Sequence, residues 1–211
     1  MDKIKVLNLY CCLGGNRKNW PDDEIEVTAV EIDPEIAKIY KKNYPNDRVI
    51  ISDAHKYLLD CYEEYDFIWS SPPCPTHSKI RLTCVAQRKS KAVYPDMKLY
   101  EEIIFLQQYF KGVWVVENVK SFYEPLIKPY VCHRHFFWSN FNISNIKLPS
   151  DNIQECKIKI LEKEKGFSLD GYKGKERKDK ILHNIMNPKL GLHIFKCAFK
   201  SKQLNLLEGF I

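Results

Sequence analysis

Five short apolar runs separated by helix-forming or turn-forming stretches restrict this chain more than any other feature of it. Lys5 to Tyr10, Glu26 to Ile32, Arg48 to Ile51, Tyr65 to Trp69 and Val113 to Glu117 each have the length and apolar character of a buried strand. Between them, Asp33-Pro34 opens a helix that runs to about Asn43, and Met97 to Phe110 carries helical periodicity. Cys11-Cys12-Leu13-Gly14-Gly15 is a turn expected to open a further helix. Strand alternating with helix predicts an α/β fold, a mostly parallel sheet with helices on both faces. Later in the chain, Phe136 to Phe141 and Ile143 to Leu148 read as a hairpin and Pro188 to Phe199 as a closing helix. A chain of 211 residues suits one domain, 1–211, in which the polar, glycine-bearing stretch 149–180 is expected to be a short insertion or mobile loop.

Composition narrows the setting. No window approaches the roughly 18 apolar residues needed to cross a bilayer, so no membrane partner is expected and the expected location is the cytoplasm. The eight cysteines are scattered without a Cys-x-x-Cys pair, which points to reduced thiols. Cys74-x-x-His77 and Cys132-His133-x-His135 offer soft ligands, but their spacing is looser than that of zinc sites and Pro75 adjoins the first, so no metal is assigned. The formal charge of +6 is modest; its distribution is more telling. Lys79, Arg81, Arg88, Lys89 and Lys91 follow one another with no acid between them and form a candidate contact for nucleic-acid phosphates, as a mobile loop over the chemistry. The lysines from Lys157 to Lys180 are interleaved with acids and read as a solvated face.

Ligands of open parallel sheets bind outside the carboxyl ends of the strands. The Gly14-Gly15 turn lets backbone approach a ligand, Glu31 can accept both hydroxyls of an adenosine ribose, and Asp53 can accept from an adenine amino group, although a helix cap is the plainer reading of Asp53. With Tyr10, Cys12, Leu13, Ile32, Ala54 and Pro73 these residues outline a candidate pocket for S-adenosylmethionine, although a glycine turn followed by an acid fits many nucleotide-binding folds and Gly14-Gly15 can be a plain tight turn. The three-glycine dinucleotide fingerprint is absent, which counts against NAD.

Ser71-Pro72-Pro73-Cys74-Pro75-Thr76-His77-Ser78 sets one cysteine among three prolines at a strand end, where rigid placement suits a nucleophile. Val115-Val116-Glu117-Asn118-Val119 ends the next strand and brings a carboxyl group beside that thiol, with Asn118 holding the local backbone. Carbon 5 of cytosine is a poor nucleophile. A thiolate adding at carbon 6 turns the ring into an enamine that can attack a methyl sulfonium, and an acid must neutralise the charge that develops at ring nitrogen 3. Cys74 and Glu117 supply these two groups.

These residues resemble the C5-cytosine methyltransferase family, and its small bacteriophage-like branch in particular. The family's Asp-Leu-Phe-x-Gly-x-Gly-Gly motif is similar to Asn8-Leu9-Tyr10-Cys11-Cys12-Leu13-Gly14-Gly15, its Pro-Cys motif to Pro73-Cys74, and its Glu-Asn-Val motif to Glu117-Asn118-Val119. His183-Asn184-Ile185-Met186-Asn187-Pro188 resembles its Gly-Asn-Ser-Val-x-Pro segment, which implies that Asn184 helps close the cofactor pocket. The resemblance implies a Rossmann-like S-adenosylmethionine-dependent fold, DNA as the substrate with RNA as an alternative, base flipping, and a role of the restriction–modification kind. Three departures stand out. Asn8 and Cys12 replace the family's aspartate and first glycine. Its Gln-x-Arg-x-Arg motif survives only as Val131-Cys132-His133-Arg134-His135, with Arg134 the nearest candidate to orient the base's carbonyl. Fewer than fifty residues separate that motif from Asn184, so a full target-recognition domain is missing, a partner subunit is one way to supply recognition, and a non-catalytic nucleic-acid-binding subunit of a split methyltransferase is the alternative to an enzyme.

Overall fold

The computed structural model describes residues 3–149 and 157–208, with side chains up to 200. Its centre is a seven-stranded sheet built from β1 (Ile4–Leu9), β2 (Ile25–Glu31), β3 (Arg48–Ile51), β4 (Phe67–Ser70), β5 (Val113–Val119), β6 (Tyr130–Cys132) and β7 (His135–Ser139). The order is β3-β2-β1-β4-β5-β7-β6. The first five strands are parallel, and β7 runs antiparallel between β5 and β6. The chain winds outward from β1 to β3 and then returns to start β4 on the other side of β1. The sheet therefore has its switch point between β1 and β4, where the strand ends open a crevice.

Strict alternation within the buried strands feeds two cores. Val6, Phe67, Trp69, Val115 and Phe137 face one side with Trp20, Leu190, Ile194 and Phe195. Leu7, Ile68 and Val116 face the other with Leu58, Ile103 and Leu106. Full burial of each such side chain is worth about 1.5–3 kcal/mol, so both sheet faces must be covered for the strands to persist. The covering helices are α1 (Pro34–Asn43), α2 (Ala54–Cys61), α4 (Lys98–Tyr109) and the long α7 (Pro188–Glu208); α3 (Lys79–Ala86), α5 (Ile158–Lys165) and α6 (Lys178–His183) are shorter. Asp33 caps α1 by accepting from Glu35 N at 2.8 Å, ahead of Pro34 in the first turn.

Several expectations are corrected. No helix follows β1. Only Asn16 to Trp20 separate Gly15 from Pro21, too few for a helix before the proline. The segment is instead pinned as turns: Asn16 donates to Asn8 Oδ1 at 2.8 Å, and buried Arg17 makes two 3.0 Å bonds to Asp47. The late hairpin is Tyr130–Cys132 with His135–Ser139, turning at His133, whose φ is +54°. The stretch 143–148 forms no strand, and Ile143, Ile146 and Leu148 pack on the first core without a ladder. Within 149–180 the described part is structured rather than loop. Leu161, Phe167, Leu169 and Tyr172 join Leu13, Ile36, Ile181 and Leu182 in a third core that anchors α5 and α6 to α1; residues 150–156 lie outside the described residues. The basic stretch 79–91 begins as a helix capped by Ser78 rather than as an open loop. Among the described residues no helix is long and apolar enough to cross a membrane.

Candidate active site

Cys74 sits in the loop after β4, and Glu117 lies near the carboxyl end of its neighbour β5. The loop is stitched in place from several sides. Asn118, itself buried, donates from Nδ2 to Pro72 O at 3.0 Å and accepts at Oδ1 from Val119 N at 2.9 Å. Cys74 O accepts from His77 N at 3.0 Å and Ser78 N at 3.1 Å, so the chain turns tightly behind the thiol. His77 is wholly buried, shares a 2.6 Å hydrogen bond between Nδ1 and the Tyr123 hydroxyl, and accepts at its carbonyl from Phe122 N at 3.0 Å. Burial lowers the His77 pKa, which keeps this clamp uncharged at neutral pH.

The charges around the thiol oppose one another. Burial pushes the Cys74 thiol up to about 11, and the nearby Glu117 charge adds to the rise. Its own backbone, Lys180 and Arg134 pull it down. Arg134 occupies the turn between β6 and β7 and donates from Nη2 to His183 O at 3.5 Å. Glu117, 9 % exposed, accepts or shares a proton with His135 Nδ1 across a 2.5 Å contact to Oε1. Cys74, Glu117 and Arg134 are thus brought together, joined by Lys180, which nothing in the sequence marks, and by His135, which the sequence offers only as a soft ligand.

On the other side of the crevice, Glu31 ends β2 with its carboxylate held by backbone. Oε2 accepts from Cys12 N, and Oε1 from Ile32 N and Asp33 N, all at 3.0 Å. A carboxylate has about four acceptor positions, so one remains for a ribose hydroxyl. Burial raises the Glu31 pKa against these three donors. Ile32 is 68 % exposed beside it, an apolar surface for a base or ribose face. Asp53 does cap α2, accepting from His55 N and Lys56 N at Oδ1, while Ala54 is buried at the first position of that helix. Tyr10, Cys12 and Gly14 take left-handed backbone with φ of +55°, +48° and +79°. At Gly15 a Cβ would lie 2.5 Å from both Ile185 Cγ2 and Met186 O, so this glycine serves the close approach of the segment carrying exposed Asn184. Leu13 is spent on the third core, and only its backbone is available to a ligand. Pro73 is exposed beside the thiol.

Under this pocket lies a residue that sequence reasoning missed. Glu102 on α4 is 1 % exposed and accepts from Tyr10 OH at 2.6 Å and Ser70 Oγ at 2.5 Å, with His55 Nδ1 at 3.0 Å. It joins the ends of β1 and β4 to α2. Its signal was an acid inside the apolar stripe Leu99, Ile103, Leu106. Of the basic candidates, Lys79, Arg88, Lys89 and Lys91 are exposed on and after α3, whereas Arg81 is half-buried and donates to Lys91 O at 2.7 Å. Among the described residues no group of three or more His, Cys, Asp or Glu side chains is arranged to hold a metal.

A family model, C-5 cytosine-specific DNA methylase, matches residues 4–128, more than half of the chain. The chain belongs to this family. Its methyl donor is accordingly S-adenosylmethionine, and the acid at Glu31, the exposed Ile32 and the backbone of the Tyr10–Gly15 turn suit that molecule's ribose, base and methionine parts. The match stops before β6, so Arg134, His135 and Asn184 lie beyond it. Among solved structures the chain is similar to the methyltransferase EhMeth of Entamoeba histolytica, at 12 % identity over 95 % of this chain and 99 % of that one, with a TM-score of 0.57, a likeness in fold. It is also similar to a variant of DNMT2 from Spodoptera frugiperda, at 23 % identity and a TM-score of 0.39, covering 57 % of this chain and 37 % of that one. A third is an S-adenosylmethionine-dependent methyltransferase of Agrobacterium tumefaciens, at 18 % identity and 0.41, covering 58 % and 40 %. No curated protein matches the chain.

Proposed function

We propose that this cytosine-5 methyltransferase acts on DNA through a covalent adduct, with Cys74 adding to carbon 6 of a flipped-out cytosine. The observation that carries the reading is the juxtaposition of Cys74 and Glu117 on adjacent strand ends, locked by the Asn118–Pro72 bond. The Cys74 thiolate forms the carbon–sulfur bond, and Glu117 gives ring nitrogen 3 a proton, so the ring carries no net negative charge. Carbon 5, now enamine-like, takes the methyl group that S-adenosylmethionine supplies when bound. Loss of the carbon 5 proton to water and expulsion of the Cys74 thiolate restore the aromatic ring, and the proton on nitrogen 3 returns to Glu117. Arg134 orients the base's carbonyl, and Lys180 and Arg134 together favour the thiolate.

In this reading Tyr10, Cys12, Gly14, Gly15, Glu31, Ile32, Asp53, Ala54, Pro73 and Asn184 hold the cofactor. Lys79, Arg88, Lys89 and Lys91 meet phosphates, while Arg81 ties the basic segment into one unit. Residues 1–211 act as one catalytic domain, with α5 and α6 standing where a larger recognition domain would be. Because neither face of carbon 6 is reachable in a stacked duplex, the base must leave the stack. Incubation with methyl-labelled S-adenosylmethionine and matched DNA and RNA, followed by nucleoside analysis, tests the reading. Labelled 5-methyldeoxycytidine is expected; label in 5-methylcytidine alone makes RNA the substrate, and label on any other base rejects the assignment.

A further inference from the structure

Strand register puts a second titratable group behind Glu117. In the antiparallel pair β5–β7, Glu117 stands opposite Phe137 and Val119 opposite His135. Glu117 and His135 are therefore diagonal neighbours on one sheet face, within reach of long side chains. They meet at 2.5 Å, His135 Nδ1 to Glu117 Oε1, with both residues buried. At that separation a hydrogen must lie between the two atoms, because two facing lone pairs would repel. The ring of His135 also packs on Phe137 at 6.1 Å between centroids, which fixes its plane.

We propose that His135 is the positioning residue that fixes which oxygen of Glu117 carries the acid proton, the outer one. A neutral His135 in the Nδ1–H tautomer donates to Oε1, and the acid proton is then confined to Oε2, the oxygen left to face the base. When Oε2–H passes its proton to ring nitrogen 3, the Nδ1–H bond to Oε1 becomes charge-assisted and stabilises the carboxylate that remains. On release the proton returns from nitrogen 3 to Oε2. No proton is gained or lost by the pair over a cycle, and His135 touches neither base nor cofactor. Among ionisable groups, Cys74 from the loop after β4 is coupled to Glu117, and Cys74 in turn feels Lys180 of α6 and Arg134 of the β6–β7 turn. The inference rests on the reading of Glu117 as the acid at nitrogen 3.

Three variants and one spectrum test it. His135→Phe keeps the ring's bulk but removes the donor, and its kcat is expected to fall roughly 10–100-fold while KM for S-adenosylmethionine stays near the wild-type value. His135→Gln, whose amide can donate from the same place, is expected to recover most of that loss. Glu117→Gln reports on the parent reading separately. If it is inactive while His135→Phe keeps full kcat, the positioning role fails and the acid at Glu117 stands; if Glu117→Gln is fully active, the parent reading fails. Nitrogen-15 shifts of the histidine rings in the wild-type protein decide the tautomer whatever the activity. A protonated, pyrrole-type Nδ1 on His135 is expected, and an unprotonated Nδ1 overturns the proposal.

Discussion

Cys12 stands where the family motif has glycine, and its φ of +48° lies in the left-handed region that a side chain resists. Its neighbours allow no escape, since Cys12 N is held by Glu31 Oε2 at 3.0 Å and Gly14 N by Cys11 O at 2.8 Å. Left-handed backbone costs a residue with a Cβ about 1–2 kcal/mol. Glycine removes that cost but gives back about 0.5–1 kcal/mol as extra freedom of the unfolded chain. Cys12→Ala, which keeps the Cβ and loses the thiol, isolates the side chain's packing against the third core. Cys12→Gly should therefore be the more stable of the two by about 0.75 kcal/mol, the difference of the mid-values of those terms. Urea unfolding of both variants, followed by circular dichroism, measures this as a higher midpoint for glycine at an unchanged slope. An alanine variant more stable than the glycine variant by about 0.5–1 kcal/mol would show that the turn carries no strain at this position.

Asn118→Ala removes one buried and one part-buried hydrogen bond, to Pro72 O and Val119 N; about 2–4 kcal/mol of stability should be lost in the same assay. In the free protein Cys74 should alkylate with iodoacetamide at a rate that rises toward a midpoint near its thiol value of about 11, read by mass spectrometry of the Cys74 peptide. Glu117→Gln should move that midpoint down, because the nearby carboxylate raises it. The His55 pKa is raised, chiefly by its hydrogen bond to Glu102. Its share of stability is present below the ordinary histidine pKa of about 6.5 and is lost as pH rises through the raised value. Glu102→Gln should flatten that decline, and an identical pH profile would remove His55 from the network.

Strands β1, β2, β4 and β5 were legible because both faces of each are buried, so apolar runs of strand length had no competing explanation, whereas β3 lies half-exposed at the sheet edge and was marked only by its β-branched run Val49-Ile50-Ile51. The end of the chain was harder. In Phe136 to Leu148 apolar residues continue past β7, and nothing local distinguishes a ladder from a coil that packs on the core, as Ile143 and Ile146 do. The real turn, His133-Arg134, has no glycine or proline to mark it. Leu161, Phe167 and Leu169 sit among lysines and glycines, which hid a third core whose partners Leu13 and Ile36 are more than a hundred residues away. At the site, Cys74 and Glu117 could be paired from topology alone. Glu102 and His135 could not, because their partners Tyr10, Ser70 and Glu117 become neighbours only through the sheet's crossovers and register.

In the proposed reaction Cys74 becomes covalently bound to the base. An oligonucleotide carrying 5-fluorocytosine should trap it, since fluorine cannot leave carbon 5 as a proton does and the elimination stalls after methyl transfer. Incubated with S-adenosylmethionine and digested, the wild-type protein is expected to yield the Cys74 peptide with a methylated fluorocytosine nucleotide attached, and Cys74→Ser to yield none. An adduct on another cysteine, or methylated cytosine produced by Cys74→Ser at the wild-type rate, would contradict the account.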